Sequence, residues 1–338
     1  MGGGRPWYLL ARNVVPLVAL GAGIGATAWW LLSPRPAAYA IRAVFDRNAR
    51  ETVAEMEPYA PTSGVTTRRN LAYGSGPASR FDLFRPVDAD GPLPTVVWIH
   101  GGAWISGFKE HVAPFARILA ARGFAVATLE YPYGPEHAYP RSIERLNAAL
   151  DHLVRNADEY GIDTERVVIG GDSAGANLTS QLALIATNHH YARLLGLIPA
   201  VTPEQLRGVV LACGIYDVSG IPAAPGLGGW GFRIALWSYL GRRAWSRTRA
   251  GQEMSTLDYV TSAFPLTWIS GGNDDPLTPN QSMPMAAKLQ SLGVDVTTLF
   301  YADDHEPRLP HEYQFHLDFA DARAAVESIV AFAHRVTA

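Results

Sequence analysis

The motif Gly171-Asp172-Ser173-Ala174-Gly175 constrains the fold of this chain more than any other feature. The apolar run Val167-Val168-Ile169 precedes it and predicts a buried strand, while apolar residues at helical spacing follow it. Ser173 is therefore predicted on a sharp strand-to-helix turn, with its hydroxyl at the carboxyl end of a sheet. A Gly-x-Ser-x-Gly motif also occurs in ordinary glycine-rich turns, so its position between a strand and a helix carries this interpretation.

Strands alternate with helices along most of the chain. Apolar runs predict further buried strands at residues 95–100, 125–131, 209–215, 266–270 and 294–301. An early, partly exposed strand is predicted over residues 79–86, where polar and apolar residues alternate up to a proline. Helical spacing predicts helices over residues 111–122, 141–160 and 313–334. This order is typical of an α/β fold with a mostly parallel sheet and helices on both faces.

One segment, residues 218–264, interrupts this alternation. It is rich in glycine at first and then carries the aromatic residues Trp230, Phe232, Trp237, Tyr239 and Trp245. An apolar insertion at the carboxyl edge of such a sheet would cover a pocket as a small helical cap. The alternative is a helical excursion that packs on its own at the surface.

The amino terminus predicts a membrane anchor, within residues 1–33. Residues 14–32 carry no charge across 19 positions, with Arg5 and Arg12 before them. At about 1.5 Å per residue such a helix spans the roughly 30 Å hydrocarbon core. The alternative is a signal peptide cleaved after Ala40, because Ala38-Tyr39-Ala40 offers an A-x-A site.

The short tail before the anchor favours a single-pass protein whose large carboxyl-terminal domain lies outside the cytoplasm, although the arginines that follow oppose this orientation. Residues 34–66 form a connector with an amphipathic stretch at 41–56, which either packs on the domain or lies at the membrane surface. The large domain that contains Ser173 is expected over residues 67–338, with residues 218–264 as its insertion.

Composition excludes several other classes of protein. A net charge of -3 and a pI near 6.4 give no basic surface for nucleic acid, so none is expected as a partner. The single cysteine, Cys213, rules out an intramolecular disulfide framework and a metal site built on several thiolates. It lies in an apolar run and is expected to be a buried core residue.

A serine hydroxyl needs a base, and the base needs an acid to orient it. In α/β folds that carry a serine on such a strand-to-helix turn, the acid follows the serine in the sequence and the histidine follows the acid. Asp275 is the predicted acid because the following proline disfavours a helical backbone there; Asp274 is the alternative. For the base we predict His305, which is closest to the end of a strand, over His311 and His316, which approach or enter the last helix.

Three motifs resemble the hormone-sensitive-lipase-like branch of the α/β-hydrolase superfamily, in particular its bacterial carboxylesterases. They are His100-Gly101-Gly102-Ala103-Trp104, the segment Tyr131-Pro132-Tyr133-Gly134-Pro135-Glu136-His137, and the motif around Ser173. Asp275-Pro276-Leu277 matches the acid motif of that branch. The resemblance begins near Phe81 and implies an α/β-hydrolase fold, a Ser173–His305–Asp275 triad and no cofactor or metal.

The sequence departs from that branch at two places. Ala103 stands where a third glycine is usual, and His-Gly-Gly-x-Trp is also similar to kynurenine formamidases and feruloyl-esterase-like hydrolases. His305-Glu306-Pro307 replaces the usual His-Gly-Phe. Both departures concern the substrate more than the reaction class.

An oxyanion hole is expected from the loop after His100. The N–H groups of Gly102, Ala103 and Ala174 are the expected donors, with Gly101 supporting the turn. The sequence therefore predicts a serine carboxylesterase acting on short to medium acyl esters. The alternatives are an arylformamidase-like amide hydrolase and a catalytically silent binding module of the same fold.

Overall fold

The computed structural model describes residues 32–221 and 226–338. The helices and strands are, in chain order, α1 Arg35–Met56, β1 Val65–Ala72, β2 Arg80–Pro86, β3 Leu93–Ile99, α2 Ala113–Ala120, β4 Ala125–Leu129, α3 Arg141–Arg155, α4 Ala157–Tyr160, β5 Ile162–Asp172, α5 Ala174–Thr187, α6 His189–Leu195, β6 Leu206–Ala212, α7 Gly226–Leu240, α8 Arg249–Met254, β7 Thr267–Gly271, α9 Met283–Ser291, β8 Val296–Phe300 and α10 Ala320–Thr337. Short 3-10 or π turns lie at Glu57–Tyr59, Lys109–Val112, Trp245–Arg247, Thr256–Asp258, Thr278–Ser282 and Tyr313–Phe315.

An eight-stranded sheet has the order β1-β2-β4-β3-β5-β6-β7-β8. β1 and β2 are antiparallel to their neighbours, and the pairs from β4 to β8 are parallel. β5 lies between β3 and β6, so the carboxyl ends of these strands meet at one edge. The expectation of an α/β-hydrolase fold with a mostly parallel sheet is confirmed.

Helices cover both faces of the sheet, and alternate residues of β5 pack on opposite sides. Ile169 belongs to a core that includes Leu146 of α3 and Leu182 of α5. Its neighbour Val168 packs in a second core, with Phe115 of α2 among its members. Each such side chain contributes about 1.5–3 kcal/mol when it leaves water, which explains why the central strands are almost continuously apolar.

Helix α1 belongs to the folded unit. It packs against α7 and α2, and its last residue, Met56, is fully buried in the core with Phe115. The amphipathic stretch predicted at residues 41–56 therefore packs on the domain. β1 was not predicted, because its residues are mostly exposed and polar on this edge of the sheet and give no apolar run.

The predicted anchor, residues 14–32, lies outside the described residues except for Leu32. Among residues 32–221 and 226–338, no helix combines the length and the apolar character needed to cross a bilayer. We therefore correct the expectation of a single-pass membrane protein, which the structure does not support.

Candidate active site

Ser173 lies at a strained turn between β5 and α5. Its backbone has φ 51° and ψ -117°, and its N–H donates to the carbonyl of Ala212 at 2.9 Å. The turn requires glycine on both sides: a Cβ on Gly175 would lie 2.0 Å from the carbonyl oxygen of Ile99, and one on Gly171 would lie 2.5 Å from the Gly175 carbonyl carbon. Positive φ at a serine is uncommon and is typical of a nucleophile elbow.

A histidine and an aspartate complete a hydrogen-bonded chain with this serine. His311 Nε2 lies 2.9 Å from Ser173 Oγ, and His311 Nδ1 lies 2.7 Å from Asp275 Oδ2. The other Asp275 oxygen accepts from the Leu277 N–H at 2.9 Å, so the carboxylate is held on both sides. Asp274 is exposed and its Oδ1 instead accepts from Arg308 at 3.1 Å.

The prediction that His305 would pair with Ser173 and Asp275 is wrong in this structure. His305 lies away from them, with Nε2 3.3 Å from Asp321 Oδ2 and its ring against Tyr301. The third histidine considered, His316, hydrogen-bonds to Glu55 of α1 at 2.8 Å.

The long loop between β8 and α10 explains why His311, and not His305, lies beside Asp275. Asn273, just after β7, donates to the carbonyl of His305 at 2.8 Å and accepts from the N–H of Leu309 at 2.9 Å. These bonds hold the loop against the end of β7 through residue 309, so that the chain reaches Asp275 only at His311. Because α10 begins at Ala320, His311 is also well clear of the last helix.

Burial and charge act in opposite directions on His311. Burial disfavours the imidazolium, but the carboxylate of Asp275 and its hydrogen bond favour that form and raise the pKa of His311 to about 9. Glu312 and Asp172 raise this pKa further. An imidazole held by a carboxylate in this way is a strong base toward the Ser173 hydroxyl.

The oxyanion loop, which we define as residues 100–106, lies beside this chain of hydrogen bonds. The N–H of Gly101 donates to Asp172 Oδ2 at 2.6 Å, so Gly101 supports the turn and its N–H is already used. The carbonyl of Gly102 accepts from the N–H groups of Ile105 and Ser106, both at 3.0 Å. This closes a tight turn, and His100, Gly101, Gly102, Ala103 and Ser106 of the loop line the cavity together with Ser173.

Positive φ angles explain the glycine preference in this loop. Gly102 has φ 112°, and Ala103 and Trp104 follow with φ 52° and 58°. Ala103 therefore occupies a left-handed conformation in which a glycine costs no steric energy. Ala174 is the first residue of α5, where helix N–H groups have no intrahelical partner.

His100 supports the loop as an uncharged residue. Its Nδ1 lies 2.8 Å from the carbonyl of Gly101, and its ring stacks on Tyr131 with 4.4 Å between centroids. Burial lowers the pKa of His100 to about 3. The hydroxyl of Tyr131 also donates to the carbonyl of His100 at 2.7 Å.

Glu312 is a site residue that sequence reasoning missed. It follows His311, has φ 58°, and its Oε1 lies 3.9 Å from His311 Nε2. Burial and the nearby Glu312 raise the pKa of Asp172 well above its usual range. Its only signal in the sequence is its position directly after His311, one of the two histidines considered beside His305.

A cavity of about 610 Å³ contains Ser173 and His311. Helix α1 supplies a large part of its wall, and Phe232 of α7 also lines it. The α1 residues that line the cavity are Phe45, Asp46, Asn48, Ala49, Glu51, Thr52 and Glu55. The cavity thus joins the elbow, the oxyanion loop and two helices outside the sheet.

Cys213 lies close to the hydrogen-bonded chain. Its Sγ and single ligand atoms of Asp275 and His311 lie within 4.8 Å of one another. Burial raises the pKa of the Cys213 thiol well above its usual value, so it remains a neutral thiol, which donates to Gln314 Oε1 at 3.4 Å. Both ring nitrogens of His311 already have hydrogen-bond partners. We therefore interpret Cys213 as a core residue beside the Ser173–His311–Asp275 chain, and not as a ligand of a metal ion.

The family model of BD-FAE matches residues 81–289, which is more than half of the chain. The chain belongs to the BD-FAE family. This places it among the hormone-sensitive-lipase-like members of the α/β-hydrolase superfamily, and it confirms the resemblance drawn from the three motifs. The match ends before His311, so it includes Ser173 and Asp275 but not the histidine.

Curated relatives match shorter parts of the chain. A probable isoprenylcysteine alpha-carbonyl methylesterase from Oryza sativa, ICMEL1, is 37% identical over 112 residues, which are 33% of this chain and 26% of that protein. Esterase LipC from Mycobacterium tuberculosis is 31% identical over 153 residues, which are 44% of this chain and 37% of LipC. The chain therefore spans well under half the length of these relatives.

Solved structures extend the likeness to nearly the whole chain. The crystal structure of esterase B from Lactobacillus Rhamnosis superimposes with a TM-score of 0.76 and covers 89% of this chain and 96% of that one. The sequence identity is 22%, so this likeness concerns the fold.

Proposed function

We propose that the chain is a serine carboxylesterase that hydrolyses esters of short to medium acyl chains through an acyl-enzyme intermediate. The observation that carries this proposal is the hydrogen-bonded chain from Ser173 Oγ through His311 to Asp275, at 2.9 and 2.7 Å. Esterase is also the activity named for the relatives and for the structure described above. The proposed triad is therefore Ser173, His311 and Asp275, with His311 in place of His305.

In this mechanism His311 removes the proton of Ser173 as the oxygen attacks the ester carbonyl. The N–H groups of Gly102, Ala103 and Ala174 stabilise the negative charge on the tetrahedral intermediate. His311 then gives the proton to the leaving alcohol. Water, activated by the same imidazole, releases the acid from the serine. Each step uses groups of the protein and water, so the proposal requires no cofactor.

Size and lining of the cavity support a small ester. A volume of about 610 Å³ falls in the usual range for small-molecule sites. Phe45, Val112, Phe232 and Phe315 give the wall apolar surface on which an acyl chain can pack. The contribution of Phe232 is consistent with a cap role for residues 218–264.

The test is a panel of p-nitrophenyl esters with acyl chains from two to twelve carbons, assayed beside N-formylkynurenine. The expected result is turnover of the shorter esters that depends on Ser173, with a fall in kcat/KM at long chain length. Faster turnover of N-formylkynurenine would instead identify an amide hydrolase. No Ser173-dependent turnover of any compound would favour a binding module.

A further inference from the structure

Arg42 of α1 contacts the oxyanion loop from outside the sheet. Its Nε donates to the carbonyl of Ile105 at 2.5 Å, one residue after Trp104. Its Nη2 donates to the carbonyl of Gly134 at 2.7 Å, and the N–H of Gly134 donates to the carbonyl of Trp104 at 2.8 Å. One guanidinium therefore joins the oxyanion loop to the loop that follows β4.

A carboxylate fixes the orientation of this guanidinium. Glu136 accepts from Arg42 at 2.9 Å through Oε1 and at 2.6 Å through Oε2. The guanidinium also lies over the ring of Tyr133, at 5.0 Å from its centroid. A bidentate pair of this kind gives a fixed geometry that a lysine cannot reproduce.

The same part of α1 packs on the residues that would hold the oxyanion. Ala38 and Ile41 pack with Ala103 and Ile105 in a small apolar cluster that α7 completes. Ala103 and Trp104 have positive φ, a conformation that persists only where surrounding contacts enforce it. One hydrogen bond from Arg42 ends on the carbonyl of Ile105, just beyond these two residues.

We propose that Arg42 is a positioning residue for the oxyanion hole, holding the backbone of residues 102–105 in the geometry that the transition state requires. This inference rests on the proposed esterase function. It makes α1 a part of the catalytic machinery as well as a wall of the cavity. It also gives a role to Glu136 within the motif that follows β4: it orients the guanidinium.

The test compares Arg42→Met with a chemically matched arginine far from the cavity. Arg68 of β1 likewise donates to a carbonyl and a carboxylate, both of Glu159, and lies over the ring of Tyr160 at 5.3 Å. Arg68→Met therefore measures the cost of losing such an arrangement away from the site. The readouts are kcat and KM on p-nitrophenyl butyrate, Ki for an alkyl trifluoromethyl ketone, and Tm.

We expect Arg42→Met to lower kcat by about 10²-fold, because a misplacement of about 1 Å has an effect of that size. KM should change little, and the trifluoromethyl ketone, whose adduct carries an oxyanion, should bind more weakly in proportion to kcat. Arg68→Met should keep wild-type kcat and Ki. Arg42→Lys should recover part of the lost kcat, since an ammonium can still donate to the carbonyls.

Two outcomes would overturn the inference. One is a kcat for Arg42→Met within about threefold of wild type. The other is a loss confined to KM, which would mean that α1 only shapes the cavity. If Arg42→Met does not fold, Arg42→Lys and Glu136→Gln become the test: both variants must lower kcat and weaken ketone binding together.

Absence of Ser173-dependent activity in the wild-type protein would refute the proposed esterase function itself.

Discussion

The two halves of the candidate site are built in different ways. Ser173 and the oxyanion loop stand at tight turns directly after β5 and β3, where close backbone approaches leave room for little but glycine. His311 stands eleven residues after the end of β8, in a loop held by hydrogen bonds of the Asn273 side chain with His305 and Leu309 and by a bond from the Asp274 N–H to the Leu309 carbonyl at 2.9 Å. Sterics thus fix the first half, and a few polar contacts fix the second.

We expect the largest effect on kcat from a substitution at Ser173, in the half of the site that is fixed by tight turns. Ser173→Ala removes the attacking oxygen and should lower kcat by about 10⁴- to 10⁶-fold, as for other triads. The substitution removes almost no buried volume, so the unfolding curve in urea should match that of the wild type. Turnover near the wild-type rate would show that the elbow is not the nucleophile.

The half of the site in the loop after β8 is tested by comparing the kcat of alanine variants at His311 and His305. We expect His311→Ala to lower kcat about as much as Ser173→Ala, because the two residues act as a unit. His305→Ala should leave kcat within about threefold, since the imidazole of His305 lies beside Asp321 and Tyr301, and its backbone carbonyl can still accept from Asn273. The measurement is kcat on p-nitrophenyl butyrate with both variants at equal folded fraction. The reverse result would restore His305 as the base.

A third comparison concerns the acid. Asp275→Asn should lower kcat by about 10⁴-fold, because a neutral amide neither stabilises the imidazolium nor holds its tautomer. Asp274→Asn is the matched control, since Asp274 is exposed and pairs only with Arg308. Steady-state kinetics of the two variants decide between them, and an inactive Asp274→Asn would reverse the assignment.

The smallest effect should come from the contacts that hold the loop. Asn273→Ala removes the bonds to His305 and Leu309, and we expect kcat to fall by about tenfold as His311 samples other positions. Asn280→Ala is a suitable control, because Asn280 is exposed and donates only to the nearby carbonyl of Pro276 at 3.3 Å. If Asn273→Ala retains wild-type kcat, the loop is held by other contacts and the contrast between the two halves is weaker.

The same difference explains how much the sequence could predict. The elbow was predictable because a strand, a Gly-x-Ser-x-Gly motif and a helix leave one backbone path. The sheet followed from apolar runs and, for β2, from alternating polar and apolar residues. The exception is β1, an exposed edge strand whose pattern is polar. His311 could not be distinguished from His305, because the decision rests on hydrogen bonds between the Asn273 side chain and backbone groups of His305 and Leu309, which no residue pattern encodes.

The role of α1 was open in the sequence for a related reason. An amphipathic stretch at residues 41–56 shows that one face is covered, but not what covers it. The structure places that face on α7, α2 and the cavity. The partners of Arg42 are distant in the chain, at Ile105, Gly134 and Glu136, and their meeting depends on the whole fold.

The two histidines beside Ser173 also set limits on folding stability as the pH changes. Free His100 would take up a proton near pH 6.5, but the folded chain resists this down to about 3, so stability falls as the pH drops below 6.5. His311 has the opposite effect: its folded pKa of about 9 gives stability that is complete below pH 6.5 and is lost as the pH rises through 9. Together these two side chains favour greatest resistance to unfolding near pH 6.5, whereas a free imidazole base at His311 is most abundant well above it. The pH at which this site is most stable is thus lower than the pH at which it is best able to react.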